Sequence, residues 1–316
     1  MHSPVGVAVI VGPTASGKTA LAVELALAFG AEVVSADSMQ VYRGMDIGTA
    51  KPSQKERRGV IHHMLDVAEP GESFSVARYT AMAGECIRGI RRRGRLPILA
   101  GGTGLYLDAL VSGLRFGDIP SSPEYRAELH DLARSHGPQR LRAMLEECDA
   151  ESASRIHPND IKRTIRALEV FHATGVTISE WRRRSKSAPS PYRPVYIGLC
   201  FEDRAELYRR IDARVEKMLS DGLLDEVRRL MALPGVARGT AMQAIGYKEL
   251  AEYLRGECGL EEAVSRVKRE TRRYAKRQMT WLRRNPDINW FKVDLQGIQN
   301  IYSISKKLLE STPFLW

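Results

Sequence analysis

The chain has 316 residues, a formal net charge of +10, and a composition that is 43% hydrophobic and 27% charged, as in a water-soluble globular protein with one large or two smaller domains. No apolar run approaches the ~20 residues that span a bilayer, and Met1 leads into a strand-like segment with no basic region, so the sequence predicts neither a transmembrane protein nor a signal peptide. The four cysteines lie more than fifty residues apart with no CxxC pair, which excludes a compact zinc knuckle, argues against a disulfide framework and favours a reducing cytoplasm.

The first part of the chain alternates predicted strands and helices. Val5–Val11 is a continuous apolar run, as in a strand buried on both faces. A helical pattern follows the next turn and ends at Gly30. Further strands are predicted at 31–35 and 96–100, and the second runs into a glycine-rich turn. This alternation predicts a parallel α/β sheet whose strands are joined by crossover helices.

The middle of the chain has a different character. Its pattern is polar and helical with Pro and Gly breakers, and a Ser/Pro-rich linker is predicted at 186–194. We therefore predict a helical insertion into an α/β body. The predicted domains are residues 1–116 as the first part of the body, 117–191 as the insertion, and 192–316 as the second part of the body with its C-terminal helices.

The last part of the chain returns to the α/β pattern. A strand is predicted at 195–200, followed by long amphipathic helices that are broken near 234–239, and then by a strand at 289–293. The segment 301–309 is amphipathic and is predicted to be either a short helix or disordered.

Residues 12–19 read GPTASGKT and match the pattern GxxxxGK[ST] between a predicted strand and a predicted helix. In such a loop, backbone N–H groups and a helix N-terminus converge on an anion, the lysine adds a charge, and the Thr hydroxyl can hold Mg²⁺. The pattern therefore predicts a di- or triphosphate site and a metal ligand at Thr19. The predicted diphosphate-binding residues of this loop are Gly12, Pro13, Thr14, Ala15, Ser16, Gly17, Lys18 and Thr19.

Polar residues follow two other predicted strands at the edge where ligands bind in parallel sheets. Asp37 follows the second strand and is a candidate catalytic or metal-binding group, with a turn or helix-cap role as the alternative. The turn GGTGLY at 101–106 adds a backbone nest but no acidic residue, which argues against the Walker B of a motor ATPase. His62 and His63 point to opposite faces if they lie in a strand, so we predict a structural role for them.

Positive charge is concentrated in three runs rather than in one domain. Residues 266–284 hold nine basic side chains and one acidic, and smaller runs occupy 182–186 and 88–95. Any one run alone is typical of a solvated helix face. In the longest run, however, Thr271 and Gln278 interrupt an otherwise apolar helical seam, which predicts that one edge packs while another follows a phosphate backbone.

The ordered motifs of the chain resemble those of the bacterial type of tRNA dimethylallyltransferase (tRNA isopentenyltransferase). The match runs from about residue 12 to residue 284. The matching segments are GPTASGKT, DSMQVY at 37–42, IGTAKP at 47–52, His62-His63, FSV at 74–76, GGTGLY, HPNDIKRTIRALE at 157–169, QAIGYK at 243–248 and YAKRQMTW at 274–281.

The resemblance implies a P-loop-kinase-like body, a helical insertion that closes on tRNA, and transfer of a dimethylallyl group from its diphosphate to N6 of the adenosine 3′ of the anticodon. It also implies that Asp37 is the general base, that Thr103 contacts the bridging oxygen, and that Arg210 and Arg214 hold the diphosphate. Many members have Gln where Lys162 stands. The predicted tRNA-binding residues are Asp37, Ser38, Met39, Gln40, Lys162, Arg163, Thr164, Ile165, Arg166, Gln243, Ala244, Ile245, Gly246, Tyr247, Lys248, Arg272, Lys276 and Arg277.

The chemistry of the predicted residues agrees with this activity. The exocyclic amine of adenine is a poor nucleophile, so a carboxylate such as Asp37 is needed to take its proton. Lys18, Arg214, loop N–H groups and Mg²⁺ would stabilise the departing diphosphate, so the loop need not bind a nucleotide. The base must also leave its stack, and Tyr42 and Gln40 are candidates for reading it.

Three alternatives stay open from the sequence. A small-molecule or nucleotide kinase would share the phosphate loop and the body. A prenyltransferase acting on free adenine nucleotides would have little use for the insertion or the basic helix, and a non-catalytic RNA-binding module would leave the phosphate loop and Asp37 unexplained. For the favoured activity we predict Mg²⁺, dimethylallyl diphosphate as co-substrate, the tRNA anticodon stem-loop as partner, no membrane, no obligate protein partner, a monomer and a cytoplasmic location.

Overall fold

The computed structural model describes residues 4–113, 122–187, 189–236 and 239–315. It contains two compact units. Met1–Val111 together with Pro191–Trp316 forms the first, here called the body, and Ser112–Ser190 forms the second, here called the insertion.

The body is built on one sheet of six parallel strands, which confirms the predicted α/β class. The strands lie in the order β3-β2-β4-β1-β5-β6. Strand β4 therefore places the glycine turn next to the phosphate loop that follows β1, and β2 places residues 36–40 on the other side of that turn. The strands are β1 (Val5–Val11), β2 (Glu32–Ser35), β3 (His62–His63), β4 (Pro97–Gly101), β5 (Tyr192–Cys200) and β6 (Ile288–Lys292).

Helices account for most of the remaining described chain. Three of them carry the later argument: α1, which begins at the phosphate loop, and α10 and α13, which supply cationic side chains. In chain order the helices are α1 (Lys18–Phe29), α2 (Gln54–Arg57), α3 (Val76–Arg92), α4 (Gly104–Val111), α5 (Pro123–His136), α6 (Pro138–Cys148), α7 (Ala150–Arg155), α8 (Ile161–Thr174), α9 (Ile178–Ser187), α10 (Arg204–Ser220), α11 (Leu223–Met231), α12 (Tyr247–Leu254), α13 (Leu260–Leu282), α14 (Val293–Gln296) and α15 (Ile298–Glu310).

The sheet is covered on both faces, which explains why β1 is apolar at every position. Successive strand side chains point to opposite faces. Ala8 and Ile10 accordingly belong to a core cluster with residues of α1 and α15, while Val7 and Val9 belong to a second cluster with residues of α3 and α4. The segment 301–309 lies within α15, where Ile301 is fully buried, so of the two predicted states the structure shows the helix.

The predicted linker at 186–194 is shorter in the structure. Helix α9 extends to Ser187, and β5 already begins at Tyr192, where it pairs with Val5 of β1. A proline inside a strand is tolerated where its missing N–H faces no neighbouring strand. Pro194 meets this condition, because β5 pairs only with β1 there and its pairing with β6 starts at Tyr196.

The insertion is a helical unit with a core of its own, formed by α5–α9. Leu129, Leu141, Leu145 and Leu168 are buried together in it. The buried carboxylate of Glu169 is held by arginines of α5 and α8 through contacts of 2.7–2.9 Å.

The glycine turn after β4 has no room for a side chain at its first residue, which gives a test of the fold. A Cβ on Gly101 would overlap the carbonyl oxygen of Ala36, a backbone atom that cannot yield. We predict that Gly101→Ala lowers the free energy of unfolding by about 1–3 kcal/mol in urea denaturation. Gly259→Ala is the control, because its Cβ would enter open space, and equal stabilities of the two variants would contradict the packing described.

Candidate active site

The loop between β1 and α1 is shaped as a cradle for an anion. Ala15 and Gly17 have left-handed backbone angles, with φ of 64° and 89°. A Cβ on Gly12 would lie 2.9 Å from the carbonyl oxygen of Leu199, so only glycine fits this close approach. The first N–H groups of α1 have no acceptor inside the helix and face the loop. The hydroxyl of Ser16 is buried and has no hydrogen-bond partner among the described residues.

Lys18 lies in this cradle and has a lowered pKa. Its Nζ donates to the carbonyl oxygen of Pro13 at 3.2 Å. The pKa of Lys18 is lowered to about 8, first by burial and then by the positive charge of Arg214, while the charge of Asp37 acts in the opposite direction. An anion in the cradle would restore a full positive charge on this amine.

A cavity of about 300 Å³ lies at the carboxyl ends of the strands, and the cradle forms one of its walls. Lys18 and Thr19 line it together with Asp37, so the cation and the predicted base share one space. Its other walls come from 48–50, from α10, from 243–246 and from α13.

The turn after β2 fixes the carboxylate of Asp37. One carboxylate oxygen accepts from the N–H of Met39 at 2.9 Å and from the N–H of Gln40 at 3.4 Å. The N–H of Ser38 donates to the hydroxyl of Thr103 at 3.1 Å, and the N–H of Thr103 donates to the carbonyl oxygen of Ala36. The tips of the neighbouring strands β2 and β4 are thereby joined beside the cavity.

Helix α13 contributes two site residues whose roles sequence reasoning did not assign. The buried Gln278 accepts from the N–H of Thr14 at 2.9 Å and donates to the carbonyl oxygen of Gly102 at 3.1 Å. Tyr274 lines the cavity, and burial together with the charge of Asp37 raises its pKa to about 12. The polar interruption of the apolar seam at Gln278 was the signal for that position, whereas nothing in the pattern distinguished Tyr274 from the rest of the seam. The indole N–H of Trp281 donates to Asp108 at 2.7 Å.

The two residues expected to read the base make hydrogen bonds to other residues of the body. Tyr42 is only 1% exposed, packs in a core cluster and donates to the carbonyl oxygen of Glu72, so its prediction as a base reader was wrong. Gln40 lines the cavity, but both ends of its amide are engaged. Its oxygen accepts from Ser35, and its nitrogen donates to the carbonyl oxygens of Thr49 and Ala50 at 3.1 and 3.2 Å.

The two arginines predicted to hold the diphosphate have different positions. Arg214 of α10 lines the cavity together with Lys18, and burial lowers its pKa. Arg210, one turn earlier, is exposed, pairs with Glu206 at 2.7 Å and stacks on the ring of Phe201. The structure therefore places Arg214 at the phosphate cradle and Arg210 outside the cavity lining.

The residues of the predicted tRNA-contacting segment 243–248 differ in exposure. Gln243, Ala244, Ile245 and Gly246 line the cavity and Lys248 is exposed, whereas the ring of Tyr247 is fully buried. Within the insertion, Thr164 and Ile165 are buried in its core, so their side chains are not available to RNA, while Lys162 and Arg163 are exposed and Arg166 pairs with Glu169.

The three cations predicted on α13 also differ. Lys276 is exposed, and Arg277 is exposed at the cavity lining with its guanidinium 5.8 Å from the ring centre of Tyr274. Arg272 instead forms an ion pair with Asp212. In the other basic runs, several arginines pair with glutamates, as in the pairs of Arg93 and Arg95 with the buried Glu32.

A resident metal site would need several His, Cys, Asp or Glu side chains close together among the described residues. Within those residues, no group of three or more His, Cys, Asp or Glu side chains is placed to hold an ion. Nε2 of His63 donates to Glu32 at 2.7 Å, and Nδ1 of His62 donates to the carbonyl oxygen of Val60 at 2.9 Å, so both rings have structural hydrogen bonds. No helix of the described residues is long and apolar enough to cross a membrane.

A phosphate loop, a carboxylate two strands away at the same edge of the sheet and a cavity that both of them line define a P-loop α/β protein built for group transfer from a phosphate ester. Comparison with known proteins places it more narrowly. The family model for IPP transferase matches residues 40–285, and one for isopentenyl transferase matches 5–69.

Similar proteins agree with the family models. The chain is 47% identical over 305 residues to a tRNA dimethylallyltransferase of Thermoanaerobacter sp., which covers 96% of both chains. The structure of the chain resembles that of the full-length tRNA isopentenylpyrophosphate transferase from Bacillus halodurans. The TM-score is 0.73 and the identity 44%, and the match covers 99% of this chain and 97% of the other. It also resembles a eukaryotic dimethylallyltransferase acting on tRNA, with a TM-score of 0.79, 30% identity and coverage of 97% and 80%. The chain belongs to the tRNA dimethylallyltransferase family, which confirms the predicted resemblance.

The lowered pKa of Lys18 predicts how anion binding depends on pH. A bound diphosphate favours the charged amine, so the affinity for inorganic diphosphate is highest below pH 8 and falls as the pH rises through about 8. We expect this from calorimetric titrations between pH 6.5 and 9.5. Lys18→Arg is the control, since arginine stays charged and reports only the titration of the ligand itself. Parallel pH profiles of the two proteins would contradict the prediction.

Proposed function

We propose that the protein transfers the dimethylallyl group of dimethylallyl diphosphate to N6 of the adenosine directly 3′ of the anticodon in tRNA and releases diphosphate. The observation that carries the proposal is the shared cavity of Asp37 and the phosphate cradle. In this reaction the C–N bond forms as the allylic C–O bond breaks, and N6 loses one proton.

Asp37 is the group that takes this proton. Its carboxylate lines the cavity, and two backbone N–H groups hold one of its oxygens, which orients the other toward an incoming amine. General-base assistance of this kind contributes ~10²–10⁴-fold to a rate. Thr103 lies beside this turn, where its hydroxyl accepts from the N–H of Ser38 at 3.1 Å, and its contact with the bridging oxygen stays a proposal from the family resemblance.

The cradle stabilises the leaving group. Negative charge builds on the diphosphate as the C–O bond breaks, and fixed dipoles and charges aimed at it lower the barrier without reorganising. The N–H groups of the first turn of α1, Lys18 and Arg214 supply them. Arg214 and Lys18 are both partly buried, and burial lowers the pKa of each, so their charges are screened less than in bulk water.

The cavity also suits the five-carbon chain. Ile211, Val215 and Met218 of α10 line it, and Val267 of α13 and Ile245 add further apolar surface. This surface excludes water from an allylic centre that develops positive charge, and thereby favours the amine over hydrolysis. A nucleotide kinase has no need of such an apolar wall next to its phosphate loop.

Mg²⁺ fits the residues at the cradle. Oxygen ligands are those that it prefers, and Thr19 and Asp37 offer a hydroxyl and a carboxylate on the same cavity, while Ser16 keeps a hydroxyl without a partner among the described residues. We propose that Thr19 would hold Mg²⁺ together with oxygens of the diphosphate. When bound, the ion would add positive charge at the leaving group.

RNA contact is proposed for the exposed cations of α13. Lys276 and Arg277 are positioned to follow a phosphate backbone while the adenine leaves its stack for the cavity. The exposed Lys162 and Arg163 of the insertion supply a further basic surface for tRNA. Because tRNA is the substrate, we place the activity in the cytoplasm, and a monomer without an obligate protein partner stays a prediction.

The proposed base can be tested with a nearly isosteric variant. Asp37→Asn keeps an oxygen for the N–H groups of Met39 and Gln40 but removes the proton acceptor. We expect kcat for prenyl transfer to fall by ~10²–10⁴-fold, with the Kd for tRNA nearly unchanged. The wild-type chain is assayed with dimethylallyl diphosphate and either tRNA, AMP or ATP. Turnover with free nucleotides but not tRNA would reject the proposed acceptor, and near-normal turnover of the variant would reject the base.

The basic helix gives a second prediction. Arg277→Ala removes an exposed cation that has no ion pair among the described residues, whereas Arg272→Ala removes one that Asp212 already neutralises. If α13 follows RNA phosphates, Arg277→Ala weakens tRNA binding and lowers the slope of log K against log salt by about 1. Arg272→Ala is the matched variant and has the smaller effect on this slope. Filter-binding titrations at several salt concentrations measure both, and a wild-type Kd that is independent of salt contradicts RNA contact.

A further inference from the structure

Glu226 of α11 is a buried carboxylate outside every motif of the sequence. It is 1% exposed, and it does not line the cavity. One of its oxygens accepts from the N–H groups of Asp46 and Ile47, both at 2.9 Å. The other accepts from the N–H of Gly48 at 3.1 Å and from the hydroxyl of Tyr247 at 2.6 Å. A buried charge is tolerated only when it is paired or fully hydrogen-bonded, and here neutral donors meet that need.

The four donors lie in or directly beside two different walls of the cavity. Residues 46–48 lead directly into the wall at 48–50, and Tyr247 directly follows the wall at 243–246. The two segments also pack closely, since a Cβ on Gly48 would lie 2.5 Å from the ring of Tyr247. One carboxylate thus sets the separation of both walls.

The wall at 48–50 is in turn fixed to the turn that carries Asp37. The amide nitrogen of Gln40 donates to the carbonyl oxygens of Thr49 and Ala50. The loop is anchored further by Lys51, whose buried Nζ donates to the carbonyl oxygen of Tyr42 and pairs with Asp46 at 2.6 Å. The connection therefore runs from Glu226 through this wall to the turn of the proposed base.

We propose that Glu226 is a positioning residue for prenyl transfer, which rests on the proposed function. It touches neither substrate. It fixes the two walls so that the adenine and the allylic carbon meet in reacting geometry beside Asp37. A misplacement of about 1 Å can cost on the order of 10²-fold in rate, so the loss should appear in kcat rather than in the binding of either substrate.

The test variant is Glu226→Gln. It keeps the size of the side chain but presents an amide nitrogen to groups that are themselves donors. We expect kcat to fall on the order of 10- to 100-fold, with the KM for tRNA within threefold and the Kd for inorganic diphosphate unchanged. Unchanged diphosphate binding also shows that the variant is folded, because among the described residues no hydrogen bond joins Glu226 to the phosphate cradle.

Glu32→Gln is the matched control. Glu32 is also a fully buried, multiply hydrogen-bonded carboxylate, but it lies at the amino end of β2, away from the cavity. We expect it to lower the melting temperature and leave kcat unchanged. If Glu226→Gln behaves in the same way, or loses diphosphate binding together with kcat, its role is structural and the inference is overturned.

Tyr247→Phe gives an independent check. It removes one of the four donors, so its own loss of kcat should be smaller, and in the Glu226→Gln background it should cost less than in the wild type. Additive losses would contradict a shared role. A wild-type chain that does not prenylate tRNA would reject the proposed function itself, an outcome distinct from a Glu226 variant that matches an active wild type.

Discussion

The site depends on one buried side-chain amide. Gln278 accepts from the N–H of Thr14 and donates to the carbonyl oxygen of Gly102, so it joins the phosphate loop to the glycine turn of another strand. With both ends satisfied, the amide stays buried at little cost, whereas the loss of either bond would leave a backbone group unpaired. Gly102 has no side chain because Gln278 occupies that space. The shape of the cradle is thus set by α13, whose Gln278 lies 264 residues from Thr14 in the sequence.

Buried charges hold the remaining walls. Lys51 and Glu226 carry opposite charges and both anchor the loop at 46–51. Glu226 accepts mainly from backbone N–H groups of that loop, whereas Lys51 donates to the carbonyl oxygen of Tyr42 and pairs with Asp46 and Asp66. Backbone partners fix a segment of chain whatever side chains it carries. This explains why a short irregular loop can serve as a precise wall of the cavity.

Local patterns of the sequence were sufficient for five of the six strands and for the cradle, but the two-residue strand β3 was not predicted. A strand, a glycine-rich turn and a helix start lie within about fifteen residues of one another, so their spacing alone predicts the phosphate site around Lys18. Side-chain partners distant in sequence were not predictable in this way. Arg272 meets Asp212 sixty residues away, and Tyr42 enters a core formed with α11 and α12. These contacts depend on how helices pack, which periodicity alone does not specify.

Neighbouring residues of one family motif have different surroundings in the structure. The family motifs indicate which segments matter, but neighbouring residues within a motif differ in exposure. Thr164 and Ile165 are buried between the exposed Arg163 and the paired Arg166. A helix with 3.6 residues per turn necessarily divides any contiguous motif between two faces.

The division of neighbouring residues between two helix faces also constrains the register of α13. Arg277 and Gln278 are adjacent, yet successive residues of a helix are rotated by about 100°, so one lies at the exposed edge and the other is buried against the cradle. An insertion or deletion of a single residue upstream in this helix would turn the amide away from Thr14 or move the cation away from its edge. Substitutions can accumulate along the outer face of α13, but its register is not free to drift.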